Sequence, residues 1–340
     1  MRLIRLENPP TILGSAAVGS KKEFEGPLGA DLDLHDETGT FGMDTWEKSE
    51  SEMQRIVLNL ALAKAKCETA ELDAIFAGDL LNQCVGSAYG LLSFDIPYFG
   101  LYGACSTCAE GLLLASLAVS SGNAAVCGAV TSSHYCSAER QYRTPIEYGA
   151  QRAPTAQWTV TGAGAFLVGR SDVPCATSIR ITRAMGGKAV EKGINDANNM
   201  GAAMAPAAAD TLLRFFAATG EEPKDFDLIV TGDLGFEGGA ILEELMRAAN
   251  APLCRYTDCG QLIYDRARQD VHGGGSGCGC SAVVLASHIL PQMQSGALRR
   301  ILFLGTGAMM SPDSLKQGQS IPGVAHLVEL TSDAGKENGR

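Results

Sequence analysis

The chain has 340 residues, of which 46% are apolar and 19% are charged, so it is long enough for two fused halves around a large core. Its net charge of −11 argues against nucleic-acid binding, because that function needs clustered lysine and arginine to neutralise phosphates. The 40 glycines exclude a simple helical bundle and indicate tight turns between strands and helices.

The cysteines and the apolar segments indicate a reducing compartment and no membrane span. The eleven cysteines are an odd number and fall in apolar runs, unlike the cysteines of a secreted disulfide framework. Met1–Pro10 has no long apolar core, so no secretory signal is expected there. The most apolar stretch, Gly111–Val130, is interrupted by Ser120–Asn123 and predicts a buried helix, a turn and a buried strand. We expect a soluble protein, with peripheral association to a membrane complex left open.

The predicted elements alternate between helix and strand along the chain. In chain order they are a loop at Ser20–Trp46, a helix at Met53–Lys66, a strand at Leu72–Leu80, a buried helix after Cys105, a strand at Ala124–Val130, an irregular insertion at Ser137–Gln157, a strand at Thr159–Gly169, a helix at Ala205–Ala218, a strand at Phe226–Leu234, a buried helix after Gly277 and a strand at Ile301–Leu304. Strands that alternate with helices predict mainly parallel sheets covered on both faces.

Two pairs of strings repeat in the same order and indicate an internal duplication. Leu72–Leu80 matches Phe226–Leu234, and both strings end in Gly-Asp-Leu. Gly103–Cys108 precedes an apolar helix, as does Gly274–Cys278. The predicted units are an N-terminal half at 1–170 that carries Cys105, a C-terminal half at 171–330, and a flexible polar tail at 331–340.

Three strings resemble the thiolase fold. Tyr102–Ser106 resembles the nucleophile turn of thiolases and ketoacyl synthases, Val160–Ala165 resembles a Gly-rich strand of the ketoacyl synthases, and Leu304–Gly307 resembles their final Gly-rich strand. The resemblance implies an α/β thiolase fold with five layers, αβαβα, built from two halves related by a pseudo-twofold axis. It also implies a homodimer through the strand after the nucleophile helix, here Ala124–Val130.

More specific strings resemble the stage V sporulation protein AD family, a thiolase-like set from spore-forming bacteria. They are Thr131–Tyr135, Glu147–Gly149 with Gln151 and Arg152, Thr155–Gly162, Asn198–Gly201, and Asp258–Gly260 with Leu262–Asp265. The resemblance implies binding of dipicolinic acid (pyridine-2,6-dicarboxylate) for its uptake into the developing spore. It implies action with other stage V sporulation A proteins at the inner forespore membrane. No cofactor is expected, although calcium can accompany dipicolinate.

Cys105 is the candidate nucleophile. A cysteine at a helix N-terminus meets a positive field and free N–H groups, which lower the pKa of its thiol and can also hold an anion. A small apolar core residue is the alternative. By alignment, the histidine and asparagine partners of initiating ketosynthases fall on Gly232 and Gly274, and Leu304–Gly307 lacks the second cysteine of thiolases.

Because glycine has no acid–base group, binding without catalysis is favoured, and two glycines there would widen the cavity. The alternatives are acyl transfer by Cys105 on a thioester, and a structural subunit of a membrane channel assembly with a vestigial pocket.

Several further residues are candidates for contact with the ligand. His134 follows a strand at the carboxyl end of the sheet, where sites of α/β proteins gather, and local satisfaction by Ser132 or Ser133 is its alternative. Arg152 can either grip a carboxylate bidentately or be a solvated surface arginine, whereas Arg140 and Arg143 are expected to be solvated. One of Asn198 and Asn199 is expected to cap a helix and the other to line the pocket. The predicted ligand-binding set is Cys105, Ser106, His134, Gln151, Arg152, Gln157, Asn199 and His272. No metal site is predicted, because Cys278 and Cys280 would point apart on a helix.

Overall fold

The computed structural model describes residues 2–142, 152–173 and 177–334. The strands are β1 (Ile4–Arg5), β2 (Thr11–Ser20), β3 (Leu34–Asp36), β4 (Ala74–Gly78), β5 (Tyr98–Leu101), β6 (Val126–Ser133), β7 (Trp158–Thr159), β8 (Gly162–Gly169), β9 (Ile179–Met185), β10 (Leu228–Thr231), β11 (Tyr256–Asp258), β12 (Gly275–Ser276), β13 (Arg300–Ala308) and β14 (Gly323–Ser332). The helices are α1 (Lys21–Phe24), α2 (Trp46–Ala65), α3 (Val85–Gly90), α4 (Thr107–Ser120), α5 (Tyr135–Tyr142), α6 (Met200–Thr219), α7 (Gly235–Ala248), α8 (Cys259–Leu262), α9 (Cys278–Val284), α10 (Leu290–Gln294) and α11 (Pro312–Lys316). A π-helical turn at Leu285–Ile289 joins α9 to α10.

The strand order repeats between the two halves. Along the sheet it is β11-β10-β13-β14-β9-β2-β8-β6-β4-β5. Counted inward from either edge, each half places its five strands in the same sequence: third, second, fourth, fifth and first along the chain. The pairing directions match as well: β4 and β10 are each parallel to both neighbours, and β8 and β14 are each antiparallel to both. The halves meet where Thr11 of β2 pairs with Arg180 of β9.

The expectation of mainly parallel sheets is wrong, because β8 and β14 make both halves mixed. Parallel neighbours need a long crossover connection, whereas antiparallel neighbours do not. Within the described residues, the connection into β8 contains α5 and β7 and the connection into β14 contains α11. Strands β8 and β14 lie antiparallel to β6 and β13.

Helices form three layers around the two sheet halves. On the outside, α2 packs on the first half, and α6 packs on the second with α7 against it. Between the halves, α4 contacts β4 and β6 of the first and β13 and β14 of the second, while α9 contacts β6, β8 and β13. The predicted burial of the helices after Cys105 and Gly277 follows from this position, since both are enclosed by sheet on two sides. The predicted five layers, αβαβα, are confirmed.

Local predictions fail mainly at the edges of elements. Helix α5 extends into the insertion predicted to be irregular from Ser137, and α1 and β3 lie within the loop predicted at Ser20–Trp46. Strand β14 includes Thr331 and Ser332, which the prediction gave to a flexible tail. The division of the chain between residues 170 and 171 remains a prediction.

The strand predicted to form a dimer interface is in the wrong place for that role. β6, which contains most of Ala124–Val130, lies between β4 and β8, and every one of its residues is buried. Among the described strands, β5 forms the edge of the first half, and its Tyr98 and Phe99 are exposed, as is Leu92. An edge strand with exposed aromatic side chains tends to pair with another chain.

We therefore expect the homodimer to form through β5. Phe99→Asp places a charge in the centre of this edge and should convert a dimer into a monomer of 35.6 kDa in light scattering after size exclusion. Leu245→Asp, at a similarly half-exposed leucine on α7, is the control and should leave the mass unchanged. A parent chain that is already monomeric contradicts the expectation.

Two buried carboxyl groups, those of Glu50 and Asp79, connect elements of the first half near the carboxyl ends of its strands. Glu50 of α2 accepts hydrogen bonds from Ser132 Oγ at 3.0 Å and Ser137 Oγ at 2.9 Å. Asp79 accepts from the backbone N–H and hydroxyl of Ser87 at 2.7 Å and 2.6 Å. Burial raises the pKa of Glu50, and the negative charge of Asp79 raises it further.

This raised pKa has a consequence for stability. The folded chain holds the Glu50 proton more tightly than the unfolded chain, in which the ordinary pKa is 4.5. Its contribution to the free energy of unfolding is therefore full below about pH 4.5 and is lost as the pH rises through the raised value. Glu50→Gln cannot ionise and should gain stability over the parent as the pH rises, by roughly 1.4 kcal/mol for each unit by which the pKa is raised. Urea unfolding across this range measures the difference, and a pH-independent difference contradicts it. Glu244→Gln, at an exposed site, is the control.

Candidate active site around Cys105

Cys105 lies in a tight turn that leads into α4. Ala104, immediately before it, has φ +52°, a left-handed conformation that a turn of this kind requires. Strand β13 approaches the turn so closely that a Cβ on Gly307 would lie 2.8 Å from the carbonyl of Gly103 and 2.9 Å from the N–H of Ser106. The Ser106 hydroxyl donates to the Gly103 carbonyl at 2.6 Å. Ser106 therefore closes the turn and, contrary to prediction, does not line the pocket.

A pocket of about 310 Å³ opens beside Cys105. Among the described residues its lining is Leu80, Asn82, Tyr102, Ala104, Cys105, Ala138, Glu139, Tyr142, Thr159, Met200, Ser276, Ala308, Met309, Met310, Ser311 and Pro312. One wall is a row of hydrogen bonds, in which Tyr102 donates to Asn82 at 3.1 Å, the Tyr102 and Tyr142 hydroxyls are 3.1 Å apart, and Tyr142 donates to the Leu80 carbonyl at 2.7 Å. Within this described lining Glu139 is the only charged side chain.

The carboxylate of Asp233 lies against the Cys105 thiol. Asp233 follows β10 and is fully buried. Its Oδ2 accepts from the N–H of Gly277 at 2.9 Å and from Ser276 Oγ at 3.2 Å, and its Oδ1 accepts from Thr306 Oγ1 at 2.9 Å. The thiol of Cys105 donates to the same carboxylate. Among these donors to Asp233, Cys105 belongs to the first half of the chain, and Ser276, Gly277 and Thr306 belong to the second.

This arrangement keeps the thiol protonated. Burial raises the pKa of Cys105 well above its ordinary value of 9.0, and the charge and hydrogen bonding of Asp233 raise it further. Burial also raises the pKa of Asp233, to about 6, so this carboxyl is mostly ionised at neutral pH. Burial, followed by the charge of Asp233, thus acts against the activation of Cys105 that was expected from the helix N-terminus.

The residues predicted at the partner positions do not reach the pocket. A Cβ on Gly232 would lie 3.1 Å from the N–H of Thr306, and one on Gly274 would lie 2.7 Å from the Gly260 carbonyl, so both point into packed backbone. They do not widen the cavity as expected. Asp233 and Ser276 occupy the positions beside Cys105. The repeated Gly-Asp-Leu string was the available signal for Asp233, because it places an aspartate at the carboxyl end of a strand.

The structure separates His134 from Cys105. His134 is buried; its Nε2 lies 2.9 Å from the Gly39 carbonyl, and its Nδ1 accepts from the N–H of Cys136 at 3.2 Å. Burial lowers the pKa of His134, which keeps the ring neutral. Its partners are thus Gly39 and Cys136, where Ser132 or Ser133 had been considered, and its nitrogens are already engaged within the protein.

Arg152 and His272 lie together at a different place. Arg152 Nη2 donates to the Asp270 carbonyl at 2.6 Å and lies 3.0 Å from the Asp270 carboxylate. His272 Nε2 lies 2.9 Å from the same carboxylate, and its Nδ1 lies 2.8 Å from the Ala153 carbonyl. Neither side chain is part of the described lining of the Cys105 pocket.

Two predicted contacts are structural supports of the pocket. Gln157 Nε2 donates to the carbonyls of Asp233 and Gly275, both at 2.7 Å, and so positions the strand end behind Cys105. Asn199 caps α6 by accepting from the N–H of Ala202 at 3.3 Å. The side chain that reaches the pocket from this turn is Met200.

The remaining candidates need only brief mention. The Asn198 carbonyl accepts from Thr155 Oγ1 at 3.0 Å, and Asn198 is not among the described pocket-lining residues. Arg140 is exposed and pairs with Glu47. Gln151 and Arg143 lie outside the described residues.

The thiols of Cys278 and Cys280 donate hydrogen bonds to different parts of the sheet. Cys278 donates to the carbonyl of Ser132 in β6, and Cys280 donates to that of Gly232, just after β10. In the part of the chain that the structure describes, no group of three or more His, Cys, Asp or Glu side chains is arranged to hold a metal ion.

Comparison with known sequences decides the family. A sequence profile of stage V sporulation protein AD matches residues 1–331. Stage V sporulation protein AD of Bacillus subtilis (strain 168) is 41% identical over 323 residues, which cover 95% of this chain and 94% of the relative. The chain belongs to the stage V sporulation protein AD family. It is therefore a sporulation protein with a thiolase-like fold.

Solved structures similar to this family member include enzymes at low sequence identity. A variant of OleA from Xanthomonas campestris aligns with a TM-score of 0.62 at 14% identity, covering 96% of this chain and 99% of that one. The 3-oxoacyl-[acyl-carrier-protein] synthase III of Aquifex aeolicus aligns with a TM-score of 0.56 at 14% identity, covering 94% and 99%. At such identities the likeness concerns the fold alone. Across the described ranges, no helix is both long and apolar enough to cross a membrane.

The position of Asp233 predicts how Cys105 reacts. Asp233→Asn keeps the side-chain shape but removes the charge, so the pKa of Cys105 should fall and its alkylation by iodoacetamide at pH 8 should accelerate by about tenfold for each unit of that fall. Peptide mapping by mass spectrometry resolves the site, with the exposed Cys254 as internal reference. An unchanged or slower Cys105 rate in a folded variant contradicts the assignment.

Proposed function

We propose that this chain binds dipicolinate in the Cys105 pocket, without catalysis, and serves its uptake into the developing spore. The observation that carries the proposal is the buried Asp233 carboxylate against the Cys105 thiol. Family membership supports the sporulation role, and the pocket supports a small ligand, since about 310 Å³ lies in the range of small-molecule sites.

Within the described residues, the Cys105 pocket lacks the histidine partner on which acyl transfer would depend. A cysteine nucleophile needs a nearby base or a lowered pKa, and the fold needs donors for the developing oxyanion. All five histidines of the chain lie within the described residues, and none of them lines the Cys105 pocket. Asp233 is ionised at neutral pH and accepts the thiol hydrogen bond, but its charge also opposes thiolate formation.

The charges around the pocket favour the calcium chelate of dipicolinate over the free dianion. A dianion needs cationic or N–H partners, and burying it beside other anions is costly. The buried Asp233 carboxylate is mostly ionised at neutral pH, and its charge acts on Cys105, which lines the pocket. A chelate with one calcium ion is neutral. Calcium prefers oxygen ligands, and Asn82 and Glu139 provide them at the wall.

The site of action is part of the same proposal. We infer that the chain works in the forespore, peripherally at the inner forespore membrane, with other stage V sporulation A proteins. Family membership is what supports this inference. The negative net charge of −11 gives no support to a nucleic-acid partner.

Calorimetry with a blocked pocket tests the proposal. Dipicolinate titrated in excess calcium should bind the parent saturably, and Met310→Trp, which fills the pocket, should lose that binding. A chelator should weaken the pocket component at least tenfold, equivalent to about 1.4 kcal/mol. Leu245→Trp, on α7, is the matched control and should bind as the parent does.

Two outcomes contradict the proposal. One is no binding of the calcium chelate up to about millimolar concentration, or equal binding by parent and Met310→Trp. The other is an acyl adduct on Cys105, seen by intact mass after incubation with acyl-coenzyme A, together with turnover.

A further inference from the structure

A second pocket, of about 390 Å³, contains both tryptophans of the chain. This tryptophan pocket is lined by the rings of Trp46, His134, Tyr135 and Trp158 and by lysine and glutamate side chains, among them Lys22. It has no lining residue in common with the Cys105 pocket. It lies next to α5 and β7 and includes His134, which was expected in the Cys105 pocket.

Aromatic rings form much of its surface. Tyr135 stacks on Trp158 with ring centroids 4.0 Å apart and planes 13° apart. Trp46 lies 5.4 Å from His134, and 37% of the Trp46 surface remains exposed. Both ring nitrogens of His134 are engaged by backbone, so this neutral ring presents a flat wall. Flat rings with exposed faces favour a planar ligand.

Two cations, Lys22 of the pocket lining and the neighbouring Arg152, lie on the Trp158 ring. Lys22 Nζ lies 3.9 Å from the Trp158 ring centroid and forms no ion pair in the described part of the chain, while the guanidinium of Arg152 lies 4.6 Å from the same ring. The Arg152 side chain is only 4% exposed, and its Nη1 has no hydrogen-bond partner among the described residues. Burial lowers the pKa of Lys22 and the adjacent charge of Arg152 lowers it further, while the carboxylates of Glu23, Asp270 and Glu25 oppose part of this shift. An anion at Lys22 would relieve both effects.

The carboxylates of the pocket are already engaged. Glu25 and Glu37 both pair with Lys21, at 4.0 Å and 3.5 Å. Glu23 is buried and accepts hydrogen bonds from Ser20, Thr161 and Tyr264. Lys22 is therefore the cation with capacity for a ligand.

We propose that the tryptophan pocket binds a small planar aromatic carboxylate, whose ring lies against Trp46 and whose carboxylate pairs with Lys22. One lysine beside stacked aromatic rings provides one cationic partner, which matches a ligand with one carboxylate on one ring. The site does not depend on the function proposed for the Cys105 pocket, because it uses different residues and a different charge.

Intrinsic fluorescence reads this site directly, since both tryptophans line it. Benzoate titrated into the full chain should change the tryptophan fluorescence saturably, and benzamide, the neutral analogue, should bind at least tenfold more weakly. Lys22→Met should weaken benzoate binding at least tenfold, and Lys22→Arg should restore most of it. Lys48→Met is the control for total charge, because Lys48 is exposed and paired with Asp44, and it should leave Kd within twofold.

Any of three results overturns the proposal. They are no saturable change up to about 10 mM benzoate, equal binding of benzamide, and equal effects of Lys22→Met and Lys48→Met. Met310→Trp separates the two sites by calorimetry, since it should keep benzoate binding while losing the calcium chelate of dipicolinate. If Met310→Trp loses the calcium chelate while neither it nor the parent binds benzoate, only the proposal for the tryptophan pocket is rejected.

Discussion

The hydrogen bonds that converge on Asp233 join the two halves of the molecule at the pocket. A fully buried carboxylate must be satisfied where it lies, because leaving it unpaired would cost far more than any single contact provides. Its donors are Cys105 from the first half and Ser276, Gly277 and Thr306 from the second. The turn before α4 and the ends of β12 and β13 are therefore held in one arrangement. The short ladder between β7 and β12 strengthens the same junction.

The duplication put an aspartate at equivalent positions of both halves, and the halves use it differently. Asp79 and Asp233 follow the equivalent strands β4 and β10, and both are fully buried. Asp79 accepts hydrogen bonds from Ser87 and Leu81 within its own half. Asp233 instead reaches across to Cys105. One copy therefore stabilises a loop, and the other sets the chemistry of the pocket.

Charge also distinguishes the two pockets beside α5. The Cys105 pocket is apolar with hydroxyl groups, and its described charges are negative. The tryptophan pocket has Lys22 and Arg152 around one indole ring. The described lining of the tryptophan pocket supplies lysines beside the carboxylates of Glu23, Glu25 and Glu37, whereas that of the Cys105 pocket supplies no cation. An anionic ligand therefore finds a cationic partner in the first lining and none in the second. Mutations that act on one should leave the other intact, because their lining residues differ.

The sequence by itself determined the duplication, the alternation of buried helices and strands, the thiolase-like fold and the place of Cys105. The duplication and the alternation follow from periodicity, glycine turns and repeated strings. The fold and the place of Cys105 follow from the resemblance of short strings to thiolases and ketoacyl synthases, and all of these signals are local along the chain. Only the tertiary structure decided which side chains meet. Gly232 and Gly274 were expected beside Cys105, but the strand ends turn Asp233 and Ser276 toward it. His134, Gln157 and Asn199 were expected in one pocket, but they support separate parts of the fold. The physical reason is that a hydrogen bond between distant strand ends depends on the backbone conformation of each turn. A shift of one residue in a turn replaces a side chain that faces the pocket with one that faces packed backbone.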